Sequence, residues 1–305
     1  MEDRKIRVQH RQLKAGKVTK QGFTLIELLV VISIITAIMA ISLPAFNRVK
    51  RQARSLLNTN NLMQTTTAIN LFASDNYDRY PESVATIGFG TNWNWSDPTK
   101  LTGNKQRSPR LYRAMSEYLR GYVTDASIMY CPNAPRKYKY LQQAWDAGDS
   151  WDNPETSFPA DPVGGTYCFY WNYTGYLGGH RGIFRGPQSP ASSGRYSKLL
   201  VSDYFGYNHW RNPNSYGSCE KFDGVDIIPE TQLLSAFWSR KKDADTDDSP
   251  EITLRAGYTD GHVETYTASE VIPMKVSLTA DGTVPYPDEV GVGPGIFYLP
   301  TNALR

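Results

Sequence analysis

Residues 23–46 read FTLIELLVVISIITAIMAISLPAF and hold a single charge, Glu27. As a helix this run rises about 36 Å, enough to cross a hydrocarbon core of about 30 Å. Val30, Val31, Ile32, Ile34 and Ile35 would weaken a helix in water. In lipid the backbone has no other hydrogen-bond partner, so the helix wins. Pro44 is expected to kink it near one end rather than stop it. Residues 1–22 are polar and basic, with Arg4, Lys5, Arg7, Arg11, Lys14, Lys17 and Lys20 against only Glu2 and Asp3. A basic flank ahead of an apolar run stays on the cytoplasmic side, which predicts one crossing with the remaining chain outside the cytoplasm.

Downstream the helix is expected to continue from Asn47 to about Asn76. Val49, Ala53, Leu56, Met63 and Thr67 recur at mixed threes and fours, with Asn60 filling one slot of that row. This row reads as the face that backs onto a globular domain. Arg48, Lys50, Arg51 and Arg54 lie just past the apolar run, and Tyr80-Pro81 closes the region. Beyond it the chain reads as short strands and turns. Strands are predicted at 166–173, 198–203, 252–258 and 263–266, and short helices at 110–119 and 139–147. Asp260-Gly261 sits between two of the strands and reads as a two-residue hairpin turn that presents His262.

The whole chain has a formal net charge of +3, near neutral for 305 residues, so no global field points to nucleic acid. Its three cysteines, Cys131, Cys168 and Cys219, form no CxxC pair. For an exported body, one disulfide and one remaining thiol is the simple expectation. Spacing does not choose among the three pairings; the one expected here is Cys131–Cys168, with Cys219 free or buried. Asp243, Asp245 and Asp247 suggest calcium, but an EF-hand loop from Asp243 would need Gly at 248 and Glu at 254, where the chain has Asp248 and Leu254. They remain weak calcium ligands in a solvated acidic loop, and no cofactor is expected. His180, His209 and His262 read as surface or turn residues. Patterns of the GxSxG, HExxH and phosphate-loop type are missing from the sequence. Asn172-Tyr173-Thr174 is a glycosylation sequon by pattern alone.

Gly22-Phe23-Thr24-Leu25-Ile26-Glu27-Leu28-Leu29-Val30-Val31-Ile32 resembles the processing and methylation site of type IV prepilins and type II secretion pseudopilins. In that family a Gly precedes the Phe that becomes the mature N-terminus, and a Glu follows as the fifth mature residue. Tyr77-x-x-Tyr80-Pro81, Cys131-Pro132 and Asp260-Gly261-His262-Val263 are similar to a branch of large bacterial pilin-like proteins. That branch usually carries a His ten positions before the Asp; here the slot is Pro250. In the same family major pseudopilins can hold calcium in a loop near the C-terminus.

The resemblance implies an α+β fold in which a long N-terminal helix packs on an antiparallel-sheet head. It divides the chain into a leader (1–22), a pilin helix (23–76, transmembrane over 23–46) and an extracytoplasmic head (77–305). It implies cleavage after Gly22 by a prepilin peptidase and methylation of the new Phe23 amine. It also implies partners: other pilin or pseudopilin subunits, the inner-membrane assembly platform and membrane lipid, with no nucleic acid and no catalysis. Location follows, first the bacterial inner membrane and then a periplasmic or surface filament. Physics agrees with the role given to Glu27. A carboxylate costs roughly 2.5–3.5 kcal/mol at the centre of a membrane helix, and even nearer the end it needs a partner. The resemblance supplies the free amine of Phe23 on a neighbouring subunit.

Three other readings compete. A secretory signal peptide has an apolar region of about 7–15 residues, shorter than this run. A plain signal anchor has no use for Glu27. A membrane-tethered binding protein, for instance for carbohydrate, would use Trp93, Trp95, Trp145 and Trp151 for stacking; the same residues would equally fill a head core.

Overall fold

The chain enters one helix, α1, at Leu25 and leaves it at Asp75, passing through Pro44 without a break in assignment. A computed structural model describes residues 23–87, 95–102, 114–132, 139–148, 151, 163–177, 182–207, 217–218, 253–267, 270–275 and 296–304. The chain divides into two units between Arg51 and Gln52. All packing described below belongs to the second.

Helix α1 ends because its last carbonyls are capped. The Asp78 and Asn76 amides donate to the Ala73 carbonyl at 2.9 and 3.0 Å, while Tyr77 and Asp78 both take φ of 58°. That left-handed turn is the usual device for stopping a helix, normally built with glycine. The buried face of α1 is Asn58, Leu62, Thr65, Thr66, Ala68, Ile69 and Ala73. The row expected to back onto the domain is therefore misassigned: Ala53, Leu56, Met63 and Thr67 are exposed. Close approach explains the choice of small residues. A Cβ placed on Gly257 would come within 2.6 Å of the Thr66 γ-methyl, so helix and sheet touch where only glycine and a small side chain fit.

The sheet beneath α1 has four antiparallel strands in the order β10-β9-β6-β3. These are β3 (Tyr167–Phe169), β6 (Leu199–Asp203), β9 (Leu254–Tyr258) and β10 (Val263–Tyr266). Every residue of β6 and β9 is buried. In β9, Arg255 and Gly257 face α1, while Leu254, Ala256 and Tyr258 join a second core. That core is shared with a six-stranded antiparallel sheet, ordered β5-β4-β11-β12-β7-β8. Its strands are β4 (Thr174–Leu177), β5 (Gly182–Arg185), β7 (Phe205–Tyr207), β8 (Gly217–Ser218), β11 (Val271–Lys275) and β12 (Ile296–Pro300). A two-stranded ribbon, β1 (Thr86–Ile87) with β2 (Trp95–Ser96), stands apart. The fold is α+β, as expected.

The helices α2 (Met115–Leu119) and α3 (Lys139–Asp146) fall inside the predicted 110–119 and 139–147. They pack with α1 and β3 in a core that holds Trp145, Trp151 and Trp171. Trp145 and Trp151 pack against each other with centroids 5.4 Å apart and rings tilted by 36°, at 5% and 0% exposure. They are core residues, which removes them as a carbohydrate platform; Trp93 lies outside the described residues.

Polar bonds fix α1 on the sheet. Asn58 Nδ2 donates to Asp203 Oδ1 at 2.7 Å and receives the Tyr167 hydroxyl on Oδ1 at 2.6 Å. Asp203 is 1% exposed and accepts the Arg255 backbone amide at 3.0 Å, with the Arg255 guanidinium at 3.5 Å. Arg255 in turn donates to Ser55 on α1 at 2.6 Å. A buried carboxylate needs both a counter-charge and hydrogen bonds, and here it has both. Further along α1, Asn61 donates to the carbonyls of Ser127 and Tyr130, and Asn70 to that of Thr259.

Candidate functional site

The first site is the start of α1. Thr24 Oγ1 accepts the Glu27 amide at 3.2 Å, and the Glu27 carboxylate accepts the Thr24 amide at 2.9 Å and its hydroxyl at 2.8 Å. This reciprocal pair is a capping box, and Thr-x-x-Glu at 24–27 is its sequence signal. Two of the amides that a helix start leaves unpaired are thereby satisfied within the chain. Glu27 therefore has an intramolecular task that its charge alone does not reveal. Phe23, before the cap, is 80% exposed. Gly22 lies outside the described residues.

From Leu25 to Phe46 every large apolar side chain is between 45% and 87% exposed. This is a helix long and apolar enough to cross a membrane, by length and composition. Its few polar side chains are already satisfied: Ser33, Thr36 and Ser42 donate back to the carbonyls of Leu29, Ser33 and Ile38 at 2.7–2.9 Å. Hydroxyls closed in this way enter lipid at little cost.

Exposed apolar side chains also occur on the part of α1 that belongs to the second unit. Leu56, Met63 and Leu71 are 71%, 46% and 50% exposed. Spacings of seven and eight keep them on one side of α1.

The second site is the Asp260-Gly261-His262 turn. The β9–β10 hairpin forms with the predicted partners, Leu254–Tyr258 against Val263–Tyr266. Its turn differs from the expectation. The Gly261 amide donates to the Tyr258 carbonyl at 2.9 Å, and the Tyr258 amide to the His262 carbonyl at 3.0 Å. Gly261 has φ of 87°, while Asp260 is not in the positive-φ region. The loop is thus three residues, a type I turn followed by a left-handed glycine, and only one position needs φ above zero. His262 stacks on Tyr258 at 4.5 Å and 11°, and its Nδ1 bonds the Asp260 carboxylate. Partial desolvation raises the Asp260 carboxyl, but the His262 bonds outweigh it and hold it below its ordinary value. Both side chains are about half or more exposed. The hairpin also holds the C-terminal segment: the Tyr258 hydroxyl donates to Asn302 at 2.8 Å and meets the Tyr266 hydroxyl at 2.6 Å. The geometry is that of a structural turn with a polar clamp.

The cysteines correct the sequence reading. Cys131 is in a disulfide, whereas Cys168 carries a free, buried thiol, so the Cys131–Cys168 bond does not form. The only other cysteine of the chain, Cys219, lies outside the described residues, as do His180, His209, Asp243, Asp245 and Asp247. Strand β3 explains the result. Cys168 pairs in register with Ser202 and points into the core shared with the six-stranded sheet, while Cys131 belongs to the core under α1. Asn172, of the sequon, is used internally, donating to the carbonyls of Tyr80 and Pro81. Among the described residues no group of three or more His, Cys, Asp or Glu is placed to hold a metal ion.

These features define a class: an α+β protein whose N-terminal helix opens with a Thr-x-x-Glu capping box and an exposed apolar stretch over residues 25–46. Residues 18–43 match the family model described as the prokaryotic N-terminal methylation motif. The motif supports a type IV pilin-like precursor. No curated protein and no solved structure matches the chain.

Proposed function

We propose that the chain is a structural subunit of a filament of the type IV pilus or type II secretion pseudopilus kind. A prepilin peptidase cuts between Gly22 and Phe23, and the new amine is methylated. Residues 23–46 anchor the product in the inner membrane, with the basic leader on the cytoplasmic side and the sheet domain outside. Assembly draws that helix from lipid into contact with equivalent helices of other subunits, on an inner-membrane platform. The work of the protein is polymerisation, not catalysis.

One observation carries this over a lone tethered domain. Leu56, Met63 and Leu71 form an exposed apolar row on α1, on the side turned away from the buried face of the second unit. A tether has no use for it. A neighbouring helix in a filament would cover it, exchanging water for protein contacts.

Glu27 provides the test. Glu27→Gln keeps a side chain able to close the capping box but removes the charge, whereas Glu27→Leu removes both. Pairing with the Phe23 amine of the next subunit requires the charge. Both variants are therefore expected to insert and be cut normally, and to fail in a shear assay for filaments. If Glu27→Gln assembles like the parent, the residue acts as a cap and the ion pair is wrong. A mature chain that begins elsewhere than Phe23, read by mass spectrometry, refutes the processing step.

A further inference from the structure

We propose that Asp260-Gly261 is a site at which the chain can isomerise to isoaspartate, and that His262 holds the Asp260 carboxyl group out of that reaction. Asp-Gly is open to it because glycine puts no side chain beside the attacking nitrogen. The Gly261 nitrogen would bond Asp260 Cγ, and its proton would leave with the carboxyl hydroxyl as water. Water then reopens the five-membered imide. Opening at Cγ restores aspartate. Opening at the Asp260 backbone carbonyl leaves the chain running through Cγ, one carbon longer, with no net change in mass. Only the protonated carboxyl has a hydroxyl to lose. The reaction therefore needs a neutral Asp260 side chain, free to swing onto a Gly261 nitrogen that has left its hydrogen bond.

The turn withholds each of these. The Gly261 amide donates to the Tyr258 carbonyl at 2.9 Å. Asp260 Oδ1 accepts the His262 amide at 3.2 Å and also bonds His262 Nδ1, which fixes the carboxylate on the His262 side. Burial raises the Asp260 carboxyl and the bonds from His262 lower it by more, so the charged form, which has no leaving group, is favoured. His262 is itself held. Its ring lies flat on Tyr258 at 4.5 Å, and the Tyr258 hydroxyl bonds Tyr266 and Asn302. Exclusion of water is not what protects the peptide: both side chains are exposed, and a Cβ on Gly261 would meet no atom within 4 Å. An extra backbone carbon in this short loop would disturb the pairing of β10 with β9, which runs from Val263 against Gly257 to Tyr266 against Leu254. Gly257 is also where the sheet meets Thr66 of α1. The sequence holds two other Asp-Gly pairs, Asp223-Gly224 and Asp281-Gly282, followed by Val225 and Thr283 rather than by His.

The experiment ages the full chain in detergent micelles at neutral pH and physiological temperature. The tryptic peptide 256–275 is then followed by chromatography and mass spectrometry, where isoaspartate appears as a second peak of equal mass. His262→Phe keeps a ring on Tyr258 and removes the bonded nitrogen; His262→Asn keeps a nitrogen near that position. His262→Phe should raise the rate at Asp260 about three- to tenfold, the effect of losing one exposed hydrogen bond. His262→Asn should return most of that increase. Asp223 and Asp281, read in the same digests, should age alike in all three chains. In urea the three chains should age alike at Asp260 as well. A His262→Phe chain that ages at the parent rate, or more slowly, overturns the proposal. So does a faster rate that comes with a lower urea midpoint and that His262→Asn does not reverse, because the turn then protects by stiffness alone.

Discussion

Replacing Leu56, Met63 and Leu71 together by Gln separates the outer face of α1 from its inner face. In the single chain these side chains are 71%, 46% and 50% exposed, so their truncation leaves the core under α1 intact. Exposed apolar-to-polar changes on a helix stay within about 0.5 kcal/mol each. In a filament the same side chains would be covered. Fully burying a Leu or Met is worth about 1.5–3 kcal/mol, and roughly half of each remains to be buried, so each position contributes about 0.8–1.5 kcal/mol. The triple change should then weaken subunit contact by about 2.4–4.5 kcal/mol, roughly two to three orders of magnitude in an equilibrium constant.

The inner face supplies the control. Leu62 is 0% exposed, and Leu62→Ala should cost about 2–5 kcal/mol of domain stability through the cavity it leaves. Urea unfolding of the soluble domain and a shear assay for filaments, run on both variants, give opposite patterns. The Gln triple keeps its midpoint and loses filaments; Leu62→Ala loses its midpoint. A triple variant that assembles like the parent would refute the filament role of the stripe. One that unfolds early would show that this face is part of the domain core.

Gly257→Ala should destabilise by about 1–3 kcal/mol, because the new methyl must displace the Thr66 γ-methyl, and Thr66→Ser should restore part of that loss in a double-mutant cycle. Gly261→Val meets no atom within 4 Å, so its cost comes from backbone strain alone, about 1–2 kcal/mol, read by the same unfolding curves. Cys168 should resist a thiol reagent in the native state and react only after unfolding, while one disulfide survives alkylation; burial pushes its thiol up, so little thiolate is present at neutral pH. Alkaline stability follows the same logic. Burial first, then nearby Asp and Cys groups, raises Tyr167, Tyr170 and Tyr173, so their share of stability is complete below about pH 10 and lost above it as the unfolded chain ionises. The slope should reach about 1.4 kcal/mol per pH unit for each group, measured as a falling urea midpoint.

Much of the fold was legible. The apolar run from Phe23, the helix through Asp75, the hairpin at 254–266 and both short helices follow from period, length and turn chemistry. Strands β1, β2, β4, β5, β7, β8, β11 and β12 were missed. Val271–Lys275 contains Pro273, which argues against a strand lying between two others, yet β11 pairs on both sides. Its second partner, β4, pairs only at Met274 and Lys275, so Pro273 faces no ladder bond on that side. The Cys131–Cys168 pairing failed because spacing holds no information about which core a strand face meets. The capping box at Thr24 could have been read from Thr-x-x-Glu, but the charge of Glu27 drew attention to an outside partner.

The inverted reading of α1 has a more general cause. Apolar periodicity reports that a face is buried somewhere; it does not say against what. Here the sheet approaches α1 so closely at Gly257 that Leu or Met could not take the place of Thr66. The helix is seated instead by Asn58 on the buried face and by Asn61 and Asn70 at its two edges, through bonds to Asp203, to Ser127 and Tyr130, and to Thr259. Each residue turns a helix by about 100°, so a rotation large enough to bury Leu56 would break all of these bonds and strip Asp203 of Asn58. The cost of leaving that buried carboxylate short of a donor is about 1–3 kcal/mol or more. Polar seating therefore does what greasy packing could not: it holds the apolar row of α1 outward, in one rotational setting, where another subunit would meet it.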